Sequence, residues 1–337
     1  MNLKEVRENA KKKLKEYCRV CPTCNGKACA GEVPGMGGIG RGVSFQANAE
    51  ALGAYRLNLR TIHSHKDPDT STDFFGYPLK NPILAAPITG TTYNMGEAIG
   101  ELEYSTNIIE GTKMAGSLGL TGDGADPAMY ESGLQAINQM EGWGVPIIKP
   151  RGQKEIIERI RRAEEIGAKG VGIDIDGAGL VTMALKGQPV GPKSPQELEE
   201  LIRSTSLPFI LKGIMTPDEA KLAVELGAAA IVVSNHGGRV LDDTPGVADV
   251  LPEIAEAVKG EITIFADGGV RTGLDVLKYL ALGADLVLVG RPLIIGAIGG
   301  GSEGVKLTLE EMTEQLRQSM ILTGCGNIKS IDERIIY

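Results

Sequence analysis

The sequence predicts an α/β protein, a (β/α)8 barrel preceded by an N-terminal helical and loop extension. From about residue 82, eight short apolar, β-branched runs follow one another, each closed by Gly, Pro or Asp. Between several of them lie amphipathic stretches with apolar spacing near 3.6, opened by Ser, Thr or Pro and closed by Gly. The runs are nearly continuous in apolar character instead of alternating, as parallel strands covered on both faces are. Eight such units in roughly 250 residues is the arithmetic of this barrel. A doubly wound open sheet competes, but no GxGxxG or GxxxxGK(S/T) follows any strand.

In chain order the predicted strands are NPILAAPITG, TNIIEGT, VPIIKP, KGVGIDID, LPFILKG, AAIVVSN, ITIFADGG and DLVLVGRP. The predicted helices include KEIIERIRRAEEIGA, SPQELEELIRST, TPDEAKLAVELGA, VADVLPEIAEAVKG and GLDVLKYLALGA. Residues 1–80 form the extension, expected to pack over the bottom or edge of the barrel, and residues 81–337 form the barrel itself.

With 337 residues and 42% hydrophobic content the chain can bury a full core. A net charge of -8 argues against nucleic acid or an anionic membrane surface as partner and favours small-molecule chemistry. No apolar run approaches the roughly 20 residues that span a bilayer. The opening MNLKEVRENAKKKLKEY is charged, unlike a signal peptide, so a cytoplasmic location is expected. The 46 glycines suit loops that approach a ligand closely.

Barrel chemistry sits at the C-terminal ends of the strands. Those ends carry Thr89 and Gly90, Thr112 and Lys113, Lys149 and Arg151, Asp174 and Asp176, Lys212, the segment SNHGGR, Asp267 with Gly268 and Gly269, and Gly290 with Arg291. A ring of cations with acids and one of only three histidines, His236, stands where an apolar core should have ended. The loops after strands seven and eight, ADGGVRTG and VGRPL, are where such barrels hold a phosphate, with Arg271 or Arg291 placed for a bidentate contact.

SNHGGR, followed by LPEI, DGGVRTGLDVLKYLALGADLVLVGRP and LTGC, resembles the FMN-dependent α-hydroxy-acid oxidase and dehydrogenase family, which includes glycolate and lactate oxidases. LNLRTI and DTSTDFFGYPLKNPILAAPITG resemble that family's approach to its first barrel strand, so the likeness covers roughly residues 43 to 325. The resemblance implies FMN as cofactor, a small anionic substrate and a homo-oligomer, tetramer or octamer. It implies that His236 is the catalytic base, that Arg239 clamps the substrate carboxylate, that Lys212 stabilises the reduced flavin, and that Asp176 holds the imidazole. It assigns Asp267, Gly268, Gly269, Arg271, Gly290 and Arg291 to the ribityl and phosphate groups, and Ala86, Pro87 and Ile88 to the flavin edge, with Thr112 also facing the cofactor.

Several family positions are altered. The third strand reads PIIKP, so Lys149 replaces a tyrosine and Ile147 a glutamine; VPGMGGIGRG lacks the N-terminal tyrosine; and DIDGAGLVTMALKGQ offers no second arginine. Lys149 with Lys113 therefore predicts a more cationic pocket and a larger or more highly charged anion than lactate. Type 2 isopentenyl diphosphate isomerases share a DGGVRTGLD-like loop and use reduced flavin without net redox, which keeps a non-redox enzyme, or a flavin-binding protein without turnover, as alternatives.

Cys18, Cys21, Cys24 and Cys29 form C-x2-C-x2-C-x4-C, one residue longer than a ferredoxin run. The spacing suits an iron–sulfur cluster or a zinc ion, and neither belongs to the family pattern. His63 and His65 read as a solvated loop pair and Cys325 as a small buried thiol.

Overall fold

A computed structural model describes residues 1–337. Strands β1 (Ile83–Ile88), β2 (Gly119–Thr121), β3 (Val145–Ile148), β4 (Val171–Asp174), β5 (Phe209–Ile214), β6 (Ala230–Val233), β7 (Thr263–Ala266) and β8 (Leu286–Val289) form a closed barrel. They pair in parallel in chain order, and β8 closes on β1. Leu84, Val145, Ile210, Val232, Phe265 and Leu288 fill its interior, each exposed by 1% or less. No helix is long and apolar enough to cross a membrane.

The second strand differs from expectation. TNIIEGT belongs to the helix Glu101–Met114, and the strand is the three-residue GLT that follows. Tyr104, Ser105, Ile108, Ile109 and Thr112 share its buried face at helical spacing. A Cβ on Gly111 would stand 2.5 Å from the Val305 side chain, so the helix packs tightly on Arg291–Thr323, a helical stretch kinked at Gly301. Tertiary packing overrides the β propensity of the isoleucines. Thr112 therefore turns into the helix, its hydroxyl donating to the Ile108 and Ile109 carbonyls, and Lys113 points outward to Glu141.

The extension covers both ends of the barrel, not only the bottom or edge. Helix Leu3–Leu14, whose N-cap Asn2 closes a capping box with Glu5, buries Val6, Ala10 and Leu14. It lies against the Arg291–Thr323 helix, where Gly299 leaves room for the Val6 carbonyl. A short hairpin, Thr72–Phe74 paired with Tyr77–Leu79, closes the N-terminal end of the barrel by placing Phe74 against Phe265, ring centroids 6.1 Å apart. The cysteine loop and the segment after it run over the opposite, C-terminal mouth, where the Ile39 amide donates to the Gly238 carbonyl at 2.9 Å.

Candidate active site

The ends of β4, β5 and β6 assemble an acid, a base and two lysines. After Asp174 ends β4, a single 3-10 turn, Ile175–Gly179, carries Asp176 toward β5. The β5–β6 register shifts between Lys212 and Ile214 at Gly213, whose φ is +106°. A Cβ there would stand 2.6 Å from the Asp176 side chain, so only glycine lets the acid approach. β6 runs on to His236, which adopts φ +57° and precedes Gly237 and Gly238, also left-handed. A non-glycine residue held in that region is strain kept by its surroundings, as sites often show. Ser234 Oγ supplies part of the restraint by accepting from the His236 amide at 3.1 Å.

His236 Nδ1 lies 2.9 Å from Asp176 Oδ1 and 3.6 Å from Asp174 Oδ1. With Nδ1 donating to Asp176, the neutral ring keeps its proton there and presents Nε2 as an acceptor. Asp174 is shared: Lys149 Nζ takes one oxygen, and Lys212 Nζ lies 3.2 Å from the other. Lys212 also donates to Ser234 Oγ and stands 3.9 Å from Asp267. Burial would raise the Asp174 carboxyl, but Lys149 and Lys212 beside it hold it well below the usual carboxylate range. Burial likewise opposes the Lys212 charge, yet Asp174, Asp176 and Asp267 keep its ammonium above the usual lysine range.

The β7–β8 side is built differently. Gly268 and Gly269 have φ +92° and +76°, and a Cβ on Gly269 would stand 2.5 Å from the Asn48 carbonyl. The buried Tyr279 hydroxyl donates to the Asp267 and Gly268 carbonyls at 2.9 and 2.7 Å, fixing the loop. Arg239 donates to the Gly35 and Gly37 carbonyls and to Asn94 Oδ1; Arg291 donates to the carbonyls of Met36, Gly37 and Gly237; Arg271 donates to those of Cys24 and Val270. All these partners are neutral. Arg291 also lies 3.7 Å from the centroid of the Phe45 ring. Burial lowers Arg239 to about 10; burial, then repulsion from Arg271 and Arg239, lowers Arg291 to about 9.

One cleft joins the two sides. It is lined by Ala86, Pro87, Ile88, Lys149, Lys212, His236, Arg239, Asp267 to Gly269, Arg271, Gly290 and Arg291, while Asp176 stands behind the imidazole. Thr112 and Lys113 lie outside it. Lys149 lines the cleft but is spent on Asp174, so the extra free cation expected there is not formed. Sequence reasoning left Asp174 without a role, although an acid ending the apolar VGID was the available signal. It also missed Asn94 and Phe45, which meet Arg239 and Arg291 only through long-range folding and leave no local mark.

The cysteines are all unpaired, and no three of their sulfurs lie within 4.8 Å of one another.

Residues 35–186 and 181–337 match the FMN-dependent dehydrogenase family. The chain belongs to that family. It is 31% identical over 320 residues to an L-lactate oxidase of Lactobacillus jensenii, covering 86% of this chain and 76% of the relative. It is 32% identical over 329 residues to a 2-hydroxyacid oxidase of Dictyostelium discoideum, covering 88% and 82%. A mouse 2-hydroxyacid oxidase 1 is 51% identical, but over 150 residues, 44% of this chain and 40% of the mouse protein. A crystal structure of a mandelate oxidase superimposes with a TM-score of 0.81 at 28% identity, covering 100% of this chain and 97% of that one. This chain is accordingly an FMN-dependent oxidoreductase.

The residues present fit FMN. Asp267 Oδ1 and Arg271 Nη2 are buried polar atoms without a protein partner, as groups facing a polyol and a phosphate would be. Gly268 and Gly269 expose backbone where a Cβ would clash, and Ala86 to Ile88 give a smooth apolar edge for a ring.

Proposed function

We propose that this chain oxidises 2-hydroxy acids carrying a single carboxylate and an apolar substituent to the corresponding 2-oxo acids. The observation that carries the reading is the His236–Asp176 pair in one cleft with Arg239, a partly buried guanidinium bonded only to neutral groups. FMN, when bound, supplies the acceptor for the two electrons that leave the substrate. Arg239 holds the carboxylate with its planar fork, the geometry in which arginine surpasses lysine. His236 Nε2 takes a proton from the substrate, and Asp176 stabilises the imidazolium that results. Lys212, its charge secured by Asp174, offers a fixed cation that opposes the negative charge gained on reduction.

The substituent preference follows from what Lys149 does. With its ammonium committed to Asp174, the remaining wall offers Tyr93, Ala125, Met129 and Leu180 beside the neutral Thr89, Asn94 and Thr182, and no free cation for a second carboxylate. This replaces the expectation of a more highly charged anion.

Anaerobic mixing of the holoenzyme with glycolate, lactate, 2-hydroxy-4-methylpentanoate, mandelate and malate tests the proposal. Bleaching of the flavin band by the apolar monocarboxylates, faster than by malate, is expected. A flavin that no member of the panel reduces would sink the oxidation and favour a non-redox chemistry; malate as the best reductant would sink the substituent assignment.

A further inference from the structure

The cysteine loop takes no part in hydroxy-acid oxidation as derived above. Cys18, Cys21, Cys24 and Cys29 nevertheless all line one cavity of about 590 Å3, which meets the substrate cleft at Gly269, Arg271 and Arg291. The cavity wall is cationic where the thiols face it. Arg271 Nε donates to the Cys24 carbonyl, Arg291 is held by carbonyls and the Phe45 ring, and Arg7 donates to the Val20 and Cys21 carbonyls. Such a wall suits a group that thiolate ligands make anionic. The loop is also drawn tight: Gly26, at φ +83°, lies so close to Phe45 that a Cβ would stand 2.7 Å from the ring. That same ring carries the Arg291 guanidinium on its face.

We propose that these four cysteines hold a polynuclear iron–sulfur cluster in this cavity. The spacing of the cysteines along the chain selects the kind of centre. C-x2-C-x2-C-x4-C is one residue longer than a ferredoxin run, whereas four-thiolate zinc sites are commonly built from two separated C-x2-C pairs. All four cysteines line one cavity, so each can serve a different iron.

The placement gives the cluster a positioning role. Six residues beyond Cys29, the chain reaches Gly35 to Gly37, whose carbonyls hold Arg239 and Arg291. Fixing the loop fixes those carbonyls, and through them the guanidinium that meets the substrate carboxylate. Loss of the cluster therefore raises KM for the 2-hydroxy acid several-fold while FMN stays bound.

The test uses the full chain, purified anaerobically and reconstituted with ferrous iron and sulfide. Expected are iron and acid-labile sulfide in equal amounts, and visible absorbance beneath the flavin bands that survives removal of FMN and bleaches with dithionite. Cys24→Ser should lose iron and sulfide and raise KM; wild-type protein stripped of iron by ferricyanide and chelator should show the same rise without a mutation. Zinc as the only metal, disulfides, or four free thiols after reconstitution would overturn the proposal, as would full iron and sulfide in Cys24→Ser. The metal and sulfide results stand whether or not the oxidation assignment holds; the KM result rests on it.

Discussion

The two walls of the cleft solve the problem of buried charge in opposite ways. On the β4–β6 wall, charges are paired within the protein: Asp174 with Lys149 and Lys212, and His236 with Asp176. On the β7–β8 wall and the HGGR turn, Arg239, Arg271 and Arg291 meet carbonyls, an amide oxygen and an aromatic ring, but no carboxylate. Internal pairing fixes groups in place before substrate arrives, which suits proton transfer and a stationary cation. Cations left with neutral partners bear a desolvation cost that an external anion can offset. In the proposed function the first wall performs the chemistry and the second recognises anions.

Perturbing the paired wall should damage the protein itself. Asp174→Asn leaves two buried ammonium groups facing a neutral amide, and breaking such a pair costs about 3–5 kcal/mol. Urea unfolding should register that loss, with slow flavin reduction in whatever folds; a variant as stable as the wild type would show that Asp174 does not organise this wall. Perturbing the second wall should chiefly affect affinity. Arg239→Met removes charge-assisted hydrogen bonds worth about 1.5–3 kcal/mol, so kcat/KM for a 2-hydroxy acid should fall about 10- to 100-fold, mostly through KM. An unchanged KM would remove Arg239 from carboxylate binding.

A smaller effect is expected at Asp176, since Asp174 lies 3.6 Å from the same imidazole nitrogen. Asp176→Asn should lower kcat roughly tenfold, about 1.4 kcal/mol, and change KM little; a KM effect alone would make Asp176 a substrate contact. The mildest test is pH. The Arg239 charge is present below about 10 and is lost as pH rises through that value, well short of an ordinary guanidinium. Because kcat/KM reports the free enzyme, it should decline as pH climbs past about 10 when measured with FMN in excess. A flat profile through that range would mean that Arg239 keeps its proton.

The sequence made the second wall more legible than the first. HGGR and DGGVRTG are contiguous, so their arginines and glycines could be placed at strand ends from local pattern; of the first wall only His236 shared that legibility. The paired wall depends on registry between strands: Lys149 reads as a free cation until β3 and β4 lie side by side and Asp174 takes its ammonium. The strand GLT is too short to outweigh the β-branched TNIIEGT before it, and only packing on the Arg291–Thr323 helix shows that segment to be helical. The path of the extension over the mouth rests on contacts such as Ile39 with Gly238, which no local pattern reports.

The most direct test of the division between the walls is His236→Gln, measured for two quantities in one preparation. The account predicts that anaerobic flavin reduction by a 2-hydroxy acid slows by about 10²- to 10⁴-fold, while FMN affinity and binding of the 2-oxo acid product stay at wild-type values. Reduction at the wild-type rate, or loss of FMN and product binding together with activity, would contradict it.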